Sequence, residues 1–187
     1  MKTLLKSVRI VDPSSKLDGK TRDILIENGK IAEIGSRSNA PEKSKVVQIK
    51  GMCASPGWFD TFASIPDPGY EYKEDLASGL EAAAAGGFSG MLISPATEPP
   101  IDRKSAVEYA RRRADGFTTQ LEVCGALSAG LHGKQLAELF DLRASGAKAF
   151  GDGKSPLDRT ELMYRGLEYV RNFDGVVFAF PHDPGLN

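Results

Sequence analysis

Pro56-Gly57-Trp58-Phe59-Asp60-Thr61-Phe62-Ala63-Ser64-Ile65-Pro66-Asp67-Pro68-Gly69-Tyr70-Glu71-Tyr72-Lys73-Glu74 marks a change of texture in this 187-residue chain. Its apolar start, residues 58–62, reads as a buried strand, and an amphipathic segment follows at 74–85. On the N-terminal side the chain reads as strands alone. Residues 4–11 carry apolar side chains on both faces. Residues 23–27 and 31–34 flank Asn28-Gly29-Lys30, and Asn-Gly tolerates the positive φ angles that a tight turn between twisted strands needs. Residues 45–50 alternate polar and apolar and predict a further strand after the turn Pro41-Glu42-Lys43-Ser44.

On the C-terminal side strand and helix alternate. Apolar runs at 58–62, 91–94, 121–127, 147–150 and 176–180 predict five buried parallel strands. Amphipathic segments at 74–85, 103–114, 134–145 and 158–172 predict the helices between them. Asp102 and Asp158 are expected N-caps, and Gly86-Gly87 and Gly146 expected stops. Such repetition with short connections predicts a parallel sheet with right-handed crossovers. Periodicity alone fits a closed barrel and an open doubly wound sheet equally.

Composition narrows the class. Lys+Arg 24 against Asp+Glu 25, with 41% hydrophobic residues, describes a soluble globular protein with no basic surplus for nucleic acid. Arg111-Arg112-Arg113 suits the C-terminal end of a helix, where cations complement the backbone dipole. No apolar run approaches the roughly 20 residues of a membrane span, and the N-terminus shows no signal-peptide core. Cys53 and Cys124 lie far apart within predicted strands and read as free thiols, which points to the cytoplasm.

The quoted stretch resembles the first barrel strand and loop of the dihydroorotases, in the amidohydrolase superfamily. There the strand ends Asp-x-His-x-His-x-Arg-Glu-Pro-Gly. Asp60, Pro68, Gly69 and Lys73-Glu74-Asp75 stand where that family has them. Five further stretches follow in the family's order. Ser78 to Phe88 is similar to the first barrel helix, with small residues that let a helix pack closely on a sheet. Asp102 to Tyr109, Gly125-Ala126-Leu127-Ser128 and Leu136-Ala137-Glu138-Leu139 match later blocks, as does Ser145 to Phe150. The resemblance implies an α/β protein with a small β-sandwich part at 1–55. At 56–187 it implies the first part of a metallo-dependent-hydrolase (β/α) barrel of the TIM type. Five strands leave an eight-stranded barrel incomplete, with two open edges, so the chain is expected to be a piece of a longer protein.

The resemblance also implies a chemistry, interconversion of carbamoyl-aspartate and dihydroorotate. In active members zinc polarises the carbonyl and lowers the pKa of a bound water. The two histidine positions on the first strand are Phe62 and Ser64 here, and neither replacement is a competent zinc ligand. Pro66 stands where an arginine would pair with the substrate carboxylate. Ala96, in Pro95-Ala96-Thr97, stands where an asparagine amide would hold substrate. Gly151 falls where other superfamily members place a carbamylated lysine, with Lys148 three residues earlier. Phe180 takes the histidine position after the fifth strand. Asp60, Asp152, His182 and Asp183 are the remaining groups that could bind a metal, and no catalytic residue is assigned. His132 falls in a loop after the third predicted barrel strand.

Metal, carboxylate clamp and amide are thus lost together, and Phe62 and Phe180 are expected to fill the vacated space with apolar volume. The expectation is a non-catalytic dihydroorotase-like homologue of pyrimidine biosynthesis, without cofactor, serving as a structural partner. The resemblance implies aspartate carbamoyltransferase as that partner, or self-association, with neither nucleic acid nor membrane involved. An alternative is an active dihydroorotase or related cyclic amidase with a remodelled metal site. A third reading is a small-molecule sensor that keeps the pocket without the reaction.

Overall fold

The hairpin foreseen around Asn28-Gly29 organises the N-terminal part of the computed structural model, with φ +51° and +78° at the two turn residues. Strand β2 (Thr21–Glu27) pairs antiparallel with β3 (Lys30–Gly35) on one side and with β1 (Lys2–Ile10) on the other. β4 (Lys45–Val47) runs parallel to the first half of β1, and β5 (Cys53–Ala54) parallel to its end. Two differences from expectation stand out. The strand predicted over 45–50 stops at Val47, and the strand expected at Cys53 is only the two residues of β5. β1 bulges between Leu5 and Val8, where Ser7 has φ +57° and its N–H donates to Oδ1 of the buried Asp23 at 2.9 Å. Val8, Ile10 and Ile24 form the buried centre of this sheet.

The structure describes residues 1–36, 39–157 and 159–182 and divides into two units, Met1–Pro56 and Gly57–Asn187. The second unit is built from five parallel strands in the order β10-β9-β8-β7-β6. These are β6 (Trp58–Ala63), β7 (Phe88–Ile93), β8 (Gln120–Ala126), β9 (Ala147–Gly151) and β10 (Val176–Phe178). Between them run α1 (Leu76–Ala85), α2 (Lys104–Arg113), α3 (Leu139–Ala144) and α4 (Thr160–Arg171). Strand order equal to chain order is what successive right-handed crossovers produce.

Alternation along the strands sorts their two faces. Met91 and Ile93, Leu121 and Val123, with Ala147 and Phe150, point to the helices. They meet Leu76 and Leu80 of α1, Val107 and Ala110 of α2, Leu139 and Leu142 of α3, and Val170 of α4. Each fully buried aliphatic side chain in this layer stabilises by about 1.5–3 kcal/mol. Leu92, Cys124, Ala149 and Phe178 point to the other face and form a separate apolar cluster. The small residues of α1 serve close packing: a Cβ at Gly79 would lie 2.4 Å from Ile65 Cδ1.

The predicted helix over 134–145 shrinks to α3. Residues 135–137 instead form backbone bonds with the exit of β8, Ala129 N–H to Gln135 O at 3.0 Å and Ala137 N–H to Leu127 O at 2.9 Å. Asp102 is not the N-cap of α2. Arg103 holds that position without a side-chain cap, because Oδ2 of Asp102 accepts from Gly130 N–H at 2.9 Å. The cap expected at Asp158 lies outside the described residues. α1 carries a reciprocal cap: Asp75 accepts from Ser78 N–H at 2.7 Å and Ser78 Oγ accepts from Asp75 N–H at 3.2 Å. No helix among the described residues is long and apolar enough to cross a membrane.

Candidate functional site

Barrel enzymes assemble their chemistry from the loops after the strands. After β6, Asp60 is half-buried and its Oδ1 accepts from Phe62 N–H at 2.9 Å, holding its own strand end. Phe62 lies on the face opposite the helices, and Ser64 is exposed. Pro66 offers its carbonyl to Tyr70 N–H at 2.9 Å. Asp67 was not singled out by sequence reading, yet it is fully buried. Its Oδ2 accepts from Leu76 N–H at 2.9 Å, and its Oδ1 from the Tyr109 hydroxyl at 2.7 Å. It therefore ties the first loop to α1 and α2. Burial and then the Asp67 bond raise the Tyr109 pKa above its ordinary value. An acidic residue nine positions before a helix start is the one signal the sequence offered for this role.

The loop after β7 is stitched to the first. Glu98 N–H donates to Pro68 O at 2.9 Å, and Gly69 takes φ +111° where a Cβ would meet Glu98 O at 2.3 Å. Ala96 is exposed, and its N–H donates to Ser94 Oγ at 3.3 Å. Ala96 also neighbours Gly153, whose Cβ would lie 3.2 Å from that of Ala96.

The loops after β8 and β9 share Asp152, which is 3% exposed. Its Oδ1 accepts from Leu127 N–H and Ser128 N–H, each at 2.9 Å, and its Oδ2 accepts from the Ser128 hydroxyl. Ser128 Oγ in turn accepts from Gly133 N–H at 2.8 Å. Three donors from one segment occupy this carboxylate. His132 sits exposed in the same loop, its N–H donating to Ala129 O at 3.3 Å. At Gly151 a Cβ would lie 2.5 Å from Phe178 O, so no side chain of any kind fits there. Lys148 is exposed near the start of β9.

Past β10 the expectation for Phe180 is corrected. The strand ends at Phe178, and it is Phe178 whose ring meets that of Phe62, centroids 6.3 Å apart. Phe180 has left the sheet, is 44% exposed, and lies 6.1 Å from the His182 ring. Asp183 lies outside the described residues.

Zinc asks for three or four nitrogen, sulfur or oxygen ligands converging on one point. Among the described residues no three side chains of His, Cys, Asp and Glu converge in this way. Asp152 is turned into the loop after β8, Phe62 meets Phe178, and Cys124 lies in the apolar cluster. Burial, and secondarily the Asp152 charge, push the Cys124 thiol up to about 12, far from the thiolate that a metal needs. These residues do not fit a metal.

Among the described residues, two of the cavities lie against the sheet. The larger, about 710 Å³, lies at the opposite end, under the C-terminal turn of α2 and the starts of β8 and β9. Two of its cations are engaged: Arg111 Nη1 donates to Ser145 O at 3.0 Å and Arg112 Nε to Glu108 O at 3.3 Å. The smaller, about 310 Å³, lies between β6 and the small residues of α1 and is lined by Asp60, Phe62 and Ser64.

Comparison with known proteins places this geometry. The family model described as "Dihydro-orotase-like" matches residues 51–187. A "Dihydroorotase" of Syntrophus aciditrophicus (strain SB) is 41% identical over 189 residues, covering all of this chain and 44% of the relative. A "Dihydroorotase" of Geobacter sulfurreducens (strain ATCC 51573 / DSM 12127 / PCA) is 39% identical over 188 residues with the same coverage. The chain thus spans less than half the length of these curated relatives. Among solved structures, L-hydantoinase (dihydropyrimidinase) from Arthrobacter aurescens superposes with TM-score 0.73 at 20% identity, over 94% of this chain and 39% of that one. A dihydroorotase crystal structure gives 0.63 at 14% identity, over 94% and 50%. The fold is that of the amidohydrolase barrels with their small β domain, of which this chain holds the curled parallel half-barrel sheet.

Proposed function

Because the chain belongs to the dihydro-orotase-like family, we propose that it is a non-catalytic member, a structural partner of an enzyme of pyrimidine biosynthesis. One observation carries the reading: the Phe62 ring, at a position where the family pattern has a zinc-binding histidine, is packed against Phe178. An aromatic ring pair supplies no lone pair to a metal and no charge to a substrate carboxylate. Pro66 and Ala96 bring neither a cation nor an amide to the clamp positions, and Asp152 already has its donors. Asp60, at the end of β6, is engaged with Phe62 N–H, and His182 lies past the end of β10. The partner proposed is aspartate carbamoyltransferase, in the cytoplasm, and self-association is the competing assembly.

The test has two arms. The protein is incubated with carbamoyl-aspartate, and separately with dihydroorotate, with and without added zinc. It is then mixed with aspartate carbamoyltransferase and resolved by size-exclusion chromatography with light scattering. The expected result is no turnover in either direction and a co-eluting complex. Zinc-dependent turnover would overturn the non-catalytic reading, and separate elution would overturn the partnership.

A further inference from the structure

The interior face of the parallel sheet carries an arrangement that ligand loss by itself does not require. Phe62 comes from β6 and Phe178 from β10, the first and last strands of the sheet. Three strands lie between them in the hydrogen-bonded order, yet the two rings sit 6.3 Å apart at a 40° tilt. That separation falls inside the roughly 4.5–7 Å range of favourable aromatic pairs. The curl of the sheet therefore brings its two outer strands within reach of each other across the interior. Leu92, Cys124 and Ala149, from the three middle strands, are buried in one cluster with Phe178. Gly151 has closed against the same strand, its Cβ position 2.5 Å from Phe178 O.

Resting on the non-catalytic reading, we infer that this interior has been rebuilt as an apolar tie between the first and last strands. The tie, and not the missing ligands alone, keeps a divalent metal out. Two physical consequences follow. The aromatic pair stabilises the curl of a sheet whose outer strands otherwise contact only one neighbour each. A histidine restored at position 62 would also lose the ring contact with Phe178, so its affinity for metal is offset by lost packing.

A double-mutant cycle tests this on the whole chain, using Phe62→Leu, Phe178→Leu and the pair, read by thermal melting. Leucine keeps the apolar character, so each variant folds. Each single change is expected to lower Tm by roughly 3–5 °C, taking a partly buried aromatic truncation and the Tm sensitivity of a domain this size. The double variant should fall clearly short of the sum, because either change alone breaks the same contact. Phe62→His, titrated with Co²⁺ as the probe, should lose stability, show no visible d–d band and regain no Tm on metal addition. Additive Tm losses in the cycle would overturn the tie, as would a Co²⁺ band with recovered Tm in Phe62→His. If the tie fails while the unmodified protein shows no turnover, the non-catalytic reading stands. Turnover by the unmodified protein sinks that reading whatever the cycle gives.

Discussion

Replacing Asp152 with alanine separates a carboxylate that serves the fold from one that serves a metal. In the structure Asp152 receives two backbone N–H groups, of Leu127 and Ser128, and the Ser128 hydroxyl, all buried. Alanine removes all three acceptor interactions. The hydroxyl can turn to other acceptors and Leu127 N–H keeps the Gly151 carbonyl at 3.2 Å, but the Ser128 amide loses its acceptor, and a buried orphan donor costs about 1–3 kcal/mol. Removing a desolvated carboxylate returns part of that, since its burial was itself unfavourable. The net expectation is a loss of about 2 kcal/mol. For a chain of this size that is a fall in Tm of roughly 4–8 °C. Asp152→Asn keeps one oxygen for the two amides and should cost about half as much. Circular-dichroism melts of the three proteins, each recorded with a strong chelator and again with zinc, measure both effects. A loss below about 1 kcal/mol in Asp152→Ala under chelator would refute the clamp reasoning. So would a zinc-dependent rise in the Tm of the parent protein that the substitution abolishes, because that carboxylate would then be facing a metal.

Other expectations follow from single contacts. Burial and the Asp67 bond raise the pKa of Tyr109, so the neutral phenol is the form the fold favours. Its contribution is complete below the ordinary value of 10.0 and is lost as pH rises through the folded-state value. Tyr109→Phe should flatten this alkaline limb of the stability profile, and an unchanged limb would reject the assignment. Gly69→Ala should lose at least about 2 kcal/mol, since alanine at φ +111° is strained and its Cβ would strike the Glu98 carbonyl; a neutral result in urea denaturation would show that the two loops can part. The two thiols should differ. Cys53 is exposed, while Cys124 is buried with its pKa pushed up to about 12, so one thiol titrates with Ellman's reagent at pH 8 in the native protein and two in guanidinium. Two native thiols would mean that the interior face opens readily.

The alternation of strand and helix was legible because each strand of the second unit is apolar enough to stand out between polar turns, and the Asn28-Gly29 hairpin because its turn chemistry is local. Boundaries failed where tertiary bonds compete with periodicity. The 134–145 pattern is helical by spacing, but residues 135–137 are claimed by backbone bonds to the end of β8. Asp102 looks like a cap and is drawn off by Gly130, 28 residues away. At the candidate site, the replacement of Phe62 could be read residue by residue. Its neighbour could not, because the ring it meets depends on how far the sheet curls and where β10 stops. Sequence favoured Phe180, and the structure has Phe178. Asp67 and the full occupation of Asp152 were invisible for the same reason: their donors come from segments up to 42 residues distant.

The central claim is that this member of the family neither holds zinc nor cyclises carbamoyl-aspartate. The most direct measurement is a zinc titration of the chelator-free protein against a competing chromophoric chelator, with carbamoyl-aspartate cyclisation followed in the same samples. The account predicts that the chelator keeps the zinc and that no dihydroorotate forms above the protein-free rate. One equivalent of zinc taken from the chelator, with dihydroorotate accumulating in proportion to it, would contradict the account and restore this chain to the active enzymes.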